Sequence, residues 1–103
     1  MAMLIVDTND YRGRFFEVLQ ETARCQTAVM TIEAGEEAGP EEVHRADQII
    51  YIVEGEALVR VDGEVGHARR GACVLIPAGA RHHVKNPGRA PLFFFTVYAP
   101  PAY

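Results

Sequence analysis

Apolar and polar positions along this chain fall into short runs with period-two alternation, not the three-to-four spacing of an amphipathic helix, so the pattern predicts strands. Phe15–Gln20 and Cys25–Glu33 are the first two expected strands, with Glu21–Arg24 turning between them. In the second, Ala28, Met30 and Ile32 alternate with Val29, Thr31 and Glu33, which predicts one apolar face. Ala34–Pro40, with glycines among glutamates, reads as a loop, and a short extended piece follows through Glu42, Val43 and His44. Gln48–Val53 (QIIYIV) is apolar on both faces, which predicts that its outer side also packs, against another sheet or a second subunit.

Ala57–Val61 alternates and ends at Asp62-Gly63, the signal of a type I′ hairpin, because glycine accepts the positive φ that this turn demands. Glu64–Arg69 is then the returning strand. Cys73–Ile76, His82–Lys85 and Leu92–Tyr98 complete the set, bounded by Gly71, by Pro77-Ala78-Gly79 and by Pro100-Pro101. About eight strands joined by short connections predict an all-β fold, an antiparallel barrel or jelly roll. Thr8–Arg14 is left unassigned.

With 103 residues and 49% hydrophobic positions, the chain is expected to form a single domain over residues 1–103 with a real core. Its net charge of −4, from 14 acidic and 10 basic residues, provides no basic stripe for phosphates, so nucleic acid is not an expected partner. Nothing approaches the ~18 apolar residues of a membrane span, and Met1–Val6 is too short for the apolar part of a signal peptide. No membrane partner and a cytoplasmic location are the expectations. Cys25 and Cys73 stand far apart with no CxxC, and are expected to be buried free thiols.

His44, His82 and His83 stand near ends of expected strands, beside turns, where barrels place ligands. Glu42 and His44, two apart on an extended segment, leave the same face and form a candidate chelating pair. Gln48 would lie roughly 13 Å beyond His44 on a straight strand, so sharing a ligand requires a bend at Arg45-Ala46-Asp47, with Asp47 bonding its own backbone. The plain alternatives are a wet acidic loop for Glu42, one of several neighbouring glutamates, and an internal hydrogen bond for Gln48. His83 is expected on the face opposite His82, and His67 on the surface. Arg60 reads either as a cation inside the barrel, needing an anionic ligand, or as a surface arginine. No Ser-His-Asp set, activated cysteine or phosphate loop is present in the pattern.

Gly71, Pro77, Gly79, His82 and Asn86 reproduce the second cupin motif, G-x5-P-x-G-x2-H-x3-N. Counting back from Gly55, the first cupin motif puts Glu42 and His44 in its two histidine places and Gln48 in its glutamate place, with Gly35 displaced by one from the opening glycine. The chain therefore resembles a small single-domain cupin, with motif 1 over about residues 35–55 and motif 2 over 71–86. The stretch DQIIYIVEGEALV is similar to the sugar-phosphate-isomerase-like branch. The resemblance implies a cupin-type double-stranded β-helix whose metal ligands correspond to Glu42, His44, Gln48 and His82.

Those positions depart from the family's usual three histidines and one glutamate, because Glu42 carries the charge that Gln48 lacks. Two histidines and a carboxylate suit a divalent transition metal: Zn, Mn, Fe, Ni or Co. The implied activity is metal-dependent chemistry on a small polar molecule, of isomerase, dioxygenase or decarboxylase type. The alternative is a non-enzymatic module that binds a small ligand or metal. The apolar stripe of Ile49, Tyr51, Val53, Phe93 and Phe95 reads as core or subunit interface rather than substrate pocket, and since cupins often pair through such a sheet the resemblance implies a homodimer. All of this requires the imidazoles of His44 and His82 to lie within about 8 Å of each other.

Overall fold

A computed structural model describes residues 3–103; Met1 and Ala2, which open the N-terminal apolar run, lie outside the described residues. After a single 3-10 turn at Thr8–Tyr11, the chain forms β1 (Phe16–Glu21), β2 (Gln26–Ile32), β3 (Asp47–Glu54), β4 (Glu56–Val61), β5 (Glu64–Arg69), β6 (Cys73–Ile76), β7 (His82–Lys85) and β8 (Leu92–Ala99). All pairings are antiparallel, in a five-stranded sheet of order β1-β2-β8-β3-β6 and a three-stranded sheet of order β5-β4-β7. The two sheets face each other as a double-stranded β-helix. Their inner faces meet through Ile32, Ile50, Ile52, Val59, Val84 and Phe94.

Two turns show how glycine sets the connections. At the β4–β5 hairpin, Asp62 and Gly63 both have positive φ, 48° and 84°, as a type I′ turn requires. At the β3–β4 corner, Gly55 has φ 84°, and a Cβ there would lie 2.6 Å from the Pro91 carbonyl oxygen. The corner therefore needs both the left-handed backbone and the missing side chain.

Two expectations are extended and two are corrected. Strand β2 is buried on both faces, because the segment before β1 folds over its outer side: Thr31 Oγ1 accepts from Gly13 N–H at 3.0 Å, and the Arg12 guanidinium sits 4.7 Å from the neighbouring Phe93 ring. On strand β3, Ile49 and Tyr51 on the outer side are 43% and 45% exposed and no second sheet among the described residues covers them, which leaves a second subunit as the partner that its two-sided apolar pattern predicts. Neither cysteine is buried: both are free, Cys25 half-buried and Cys73 exposed on edge strand β6. Asp47 does not bond its own backbone; its carboxylate accepts from Ala78 N–H at 2.9 Å, tying the start of β3 to the turn before β7.

Candidate metal centre

The two stretches that carry the candidate ligands are joined through their backbones. Glu42 and His82 form an antiparallel bridge in which each N–H donates to the other's carbonyl at 2.9 Å. Two residues on, the His44 carbonyl accepts from Gly79 N–H at 2.8 Å. Gly79, at φ 84°, supplies the turn that delivers His82 to the first position of β7. The chain then bends at Arg45-Ala46 and β3 begins, which puts Gln48 beside the same pocket.

The side chains converge. One ligand atom each from Glu42, His44 and His82 lies within 4.8 Å of the other two, and among the described residues no other such trio of histidine, cysteine or acidic groups meets. The His44 and His82 ring centroids are 4.9 Å apart. Glu42 Oε2 is 3.2 Å from His44 Nε2. His82 is 6% exposed, and its Nδ1 sits 3.1 Å from the Ala80 carbonyl, a partner that accepts only from a protonated nitrogen, so the tautomer this contact selects is the one with its lone pair on Nε2. Desolvation, followed by the neighbouring His82, lowers the His44 pKa from 6.5 against the opposing pull of Glu42. Both effects favour the neutral imidazole that a metal needs.

Gln48 is the most informative side chain at the site. It is 5% exposed, and its Nε2 donates to Thr96 Oγ1 at 3.1 Å and to Tyr98 Oη at 3.4 Å. Its Oε1 is the one buried side-chain oxygen without a hydrogen-bond partner among the described residues. A buried amide oxygen left unpaired is costly, and it is relieved by a cation or a donor entering the pocket. Two imidazoles, a carboxylate and an unpaired amide oxygen around one pocket are donors that fit a divalent transition ion.

The sequence pattern did not single out the aromatic half of this pocket. Phe16, Phe94, Tyr98 and Tyr103 line it together with Met30 and Pro40, and the free space they leave is about 50 Å3. Tyr98 stands opposite Gln48 in the β3–β8 register, and burial raises its phenol to about 12. Tyr103 reaches in from beyond Pro100-Pro101; its hydroxyl donates to Glu42 Oε2 at 2.8 Å, and burial followed by that bond pushes its phenol well above the usual value, keeping it a donor. Tyr98 and Phe94 carried a sequence signal, their place on the same alternating face as Thr96.

The remaining polar candidates stand apart from the ligand trio. His83 also borders the pocket, but its Nε2 is 2.9 Å from Glu37 Oε2. Arg60 is on the exterior, 3.9 Å from Glu41, so it offers no cation inside the barrel. His67 is exposed beside Glu56 at 3.1 Å.

Two facing antiparallel sheets, with polar side chains converging between them, define a jelly-roll barrel. The chain belongs to the cupin family: residues 28–98 match its cupin domain. It is similar to the uncharacterized protein YrkC of Bacillus subtilis, 30% identical over an 82-residue alignment, covering 74% of this chain and 44% of that protein. It is also 32% identical over 74 residues to the mannose-1-phosphate guanylyltransferase of Escherichia coli, covering 72% of this chain and 16% of the enzyme. The chain thus spans less than half the length of these curated relatives. Among solved structures, BH2720 from Bacillus halodurans superposes with a TM-score of 0.88 at 31% identity, covering 97% of this chain and 83% of that one. TT1209 from Thermus thermophilus superposes with a TM-score of 0.82 at 28% identity, covering 95% and 98%.

Proposed function

We propose that this cupin is a metal-dependent enzyme acting on a small polar molecule, with Glu42, His44 and His82 holding a divalent transition ion and Gln48 Oε1 as a further donor. The observation that carries this reading is the convergence of three ligand atoms within 4.8 Å beside an unpaired buried amide oxygen. An ion held there supplies a Lewis acid that polarises a substrate carbonyl or hydroxyl. The chain supplies the rest. Ala80 fixes the His82 tautomer, the neutral His44 keeps its lone pair available at neutral pH, and the ring wall of Phe16, Phe94 and Tyr98 limits water.

A binding module without catalysis is the second reading, and the pocket's size favours it. About 50 Å3 leaves room beside an ion for little more than a water, whose share of liquid volume is about 30 Å3. A larger substrate has to lie across the mouth or displace Tyr103.

The test is elemental analysis of the purified protein beside His82→Ala. A stoichiometric transition metal in the wild type, lost from the folded variant, is the expected result; a wild type that neither carries nor takes up metal refutes the proposal. Assays of the loaded protein with sugar phosphates, keto acids and catechols under air then separate catalyst from binder.

The uncovered outer face of β3 supports a homodimer, the single domain over residues 1–103 being its protomer. The unpaired Cys25 and Cys73 fit a reducing compartment and hence the cytoplasm.

A further inference from the structure

The phenol of Tyr103 is placed on the site from several directions. It donates to Glu42 Oε2 at 2.8 Å and lies 3.4 Å from His44 Nε2. Its ring packs against Phe16, Tyr98 and His44, with centroids 4.8, 5.2 and 5.4 Å away. Its backbone is clamped by Gln26, which is 1% exposed on β2. Gln26 Oε1 accepts from Tyr103 N–H at 3.0 Å and from Ala102 N–H at 3.2 Å, and Gln26 Nε2 donates to the Tyr103 carbonyl at 2.6 Å. A fully desolvated amide is tolerated when its polar atoms are satisfied, and most of what satisfies Gln26 is the backbone around Tyr103.

Glu42 has no comparable support of its own. It lies outside the named strands, held by its bridge to His82, and its long side chain is half-exposed with rotamer freedom to lose. We propose that Tyr103 is a positioning residue for this site: its hydroxyl holds the Glu42 carboxylate beside His44 and His82 in the orientation that ligates a divalent ion, and Gln26 keeps the phenol there. The inference rests on the reading of Glu42, His44 and His82 as ligands. A carboxylate oxygen has two lone-pair positions, so accepting from the phenol leaves Oε2 one position for an ion and leaves Oε1 free. Groups that orient a metal ligand in this way typically change affinity by about ten- to a hundredfold.

The test uses Co(II), whose visible absorption reports its coordination, titrated into the wild type, Tyr103→Phe, Gln26→Met and the double variant. Tyr103→Phe keeps the ring and its packing and removes only the donor. The expected result is a loss of affinity of about tenfold or more, a changed spectrum at saturation and an unchanged Tm. Gln26→Met is expected to weaken binding in the same direction, and the double variant to add little, because Gln26 acts through Tyr103. Tyr103→Phe with wild-type affinity and spectrum overturns the proposal, as does a weaker affinity that comes with a lowered Tm and an unaltered spectrum. If Gln26→Met fails to fold, the Tyr103→Phe result decides alone. A wild type that takes up no Co(II) refutes the ion site itself; a wild type and Tyr103→Phe that bind equally refute only the positioning role.

Discussion

Gln48 and His44 show how single residues divide the work at this site. Replacing Gln48 by Leu removes a buried oxygen that has no partner together with two modest donations, so the metal-free protein is expected to keep its stability within about 1 kcal/mol. The same change is expected to weaken metal binding, while Gln48→Glu, which adds a carboxylate donor, is expected to strengthen it. Calorimetric titration of both variants checks this, and equal affinities in all three proteins would remove Gln48 from the ligand set. His44 gives a pH dependence whose sign follows from its lowered pKa. The folded state holds this ring neutral at pH values where the unfolded chain has begun to protonate it, so its contribution is complete above about 6.5 and is lost as pH falls from 6.5 toward the folded value. Urea midpoints of the metal-free protein should therefore fall on acidification through that range, and His44→Gln should flatten the slope. A variant with the wild-type slope would show that other groups carry it.

At the scale of elements, local punctuation decided what could be read in advance. Glu64–Arg69, Cys73–Ile76 and His82–Lys85 form as the pattern predicts, because Asp62-Gly63, Gly71 and Pro77-Ala78-Gly79 mark their ends chemically. Elements without such marks drifted by a residue: β1 begins at Phe16 and β3 at Asp47. The placing of Glu42 and His44 near His82 was legible because both motifs carry their spacing in sequence. That Tyr98 would face Gln48, or that Tyr103 would reach Glu42, was not, because both depend on pairings between distant segments that no local signal encodes. The corners give a paired test. Gly55 and Gly63 share a φ of 84°, but a Cβ at Gly55 meets Pro91 and Leu92 backbone at 2.6 and 3.0 Å, whereas at Gly63 it meets nothing within 4 Å. Gly63→Ala is expected to cost about 1 kcal/mol from backbone conformation alone, and Gly55→Ala about 2–4 kcal/mol once overpacking is added. Chemical denaturation of the two variants measures the difference, and equal losses would show that the β3–β4 corner relaxes freely.

For the whole molecule, the decisive asymmetry is how unevenly the outer face of the five-stranded sheet is covered. Over β2 and Phe93 the segment before β1 closes that face, but across β3 and β6 it lies bare. Ile49 pairs with Leu75 and Val97, and Tyr51 with Cys73 and Phe95, so these six side chains form two adjacent rows on one side of the sheet. Leu75 is 64% exposed, beside Ile49 at 43% and Tyr51 at 45%. An apolar patch of this continuity is a candidate association surface, and because a symmetric pair needs about 800 Å2 from each partner, more than these six side chains expose, the polar rim around the two rows has to contribute as well. The protein is therefore expected to sediment as a dimer of its 11.4 kDa chain, and Leu75→Glu, which places a charge on the most exposed apolar side chain of the patch, to sediment as a monomer. Cys73 reports on the same surface from within: its thiol is exposed in the single chain, so it should react slowly with iodoacetamide in the wild type and quickly in Leu75→Glu, while Cys25, on β2's side of the sheet, reacts equally in both. A wild type that sediments as a monomer at micromolar concentration, with Cys73 alkylated as fast as in the variant, would show that this face stays open and that the two-sided apolar pattern of QIIYIV serves some end other than self-association.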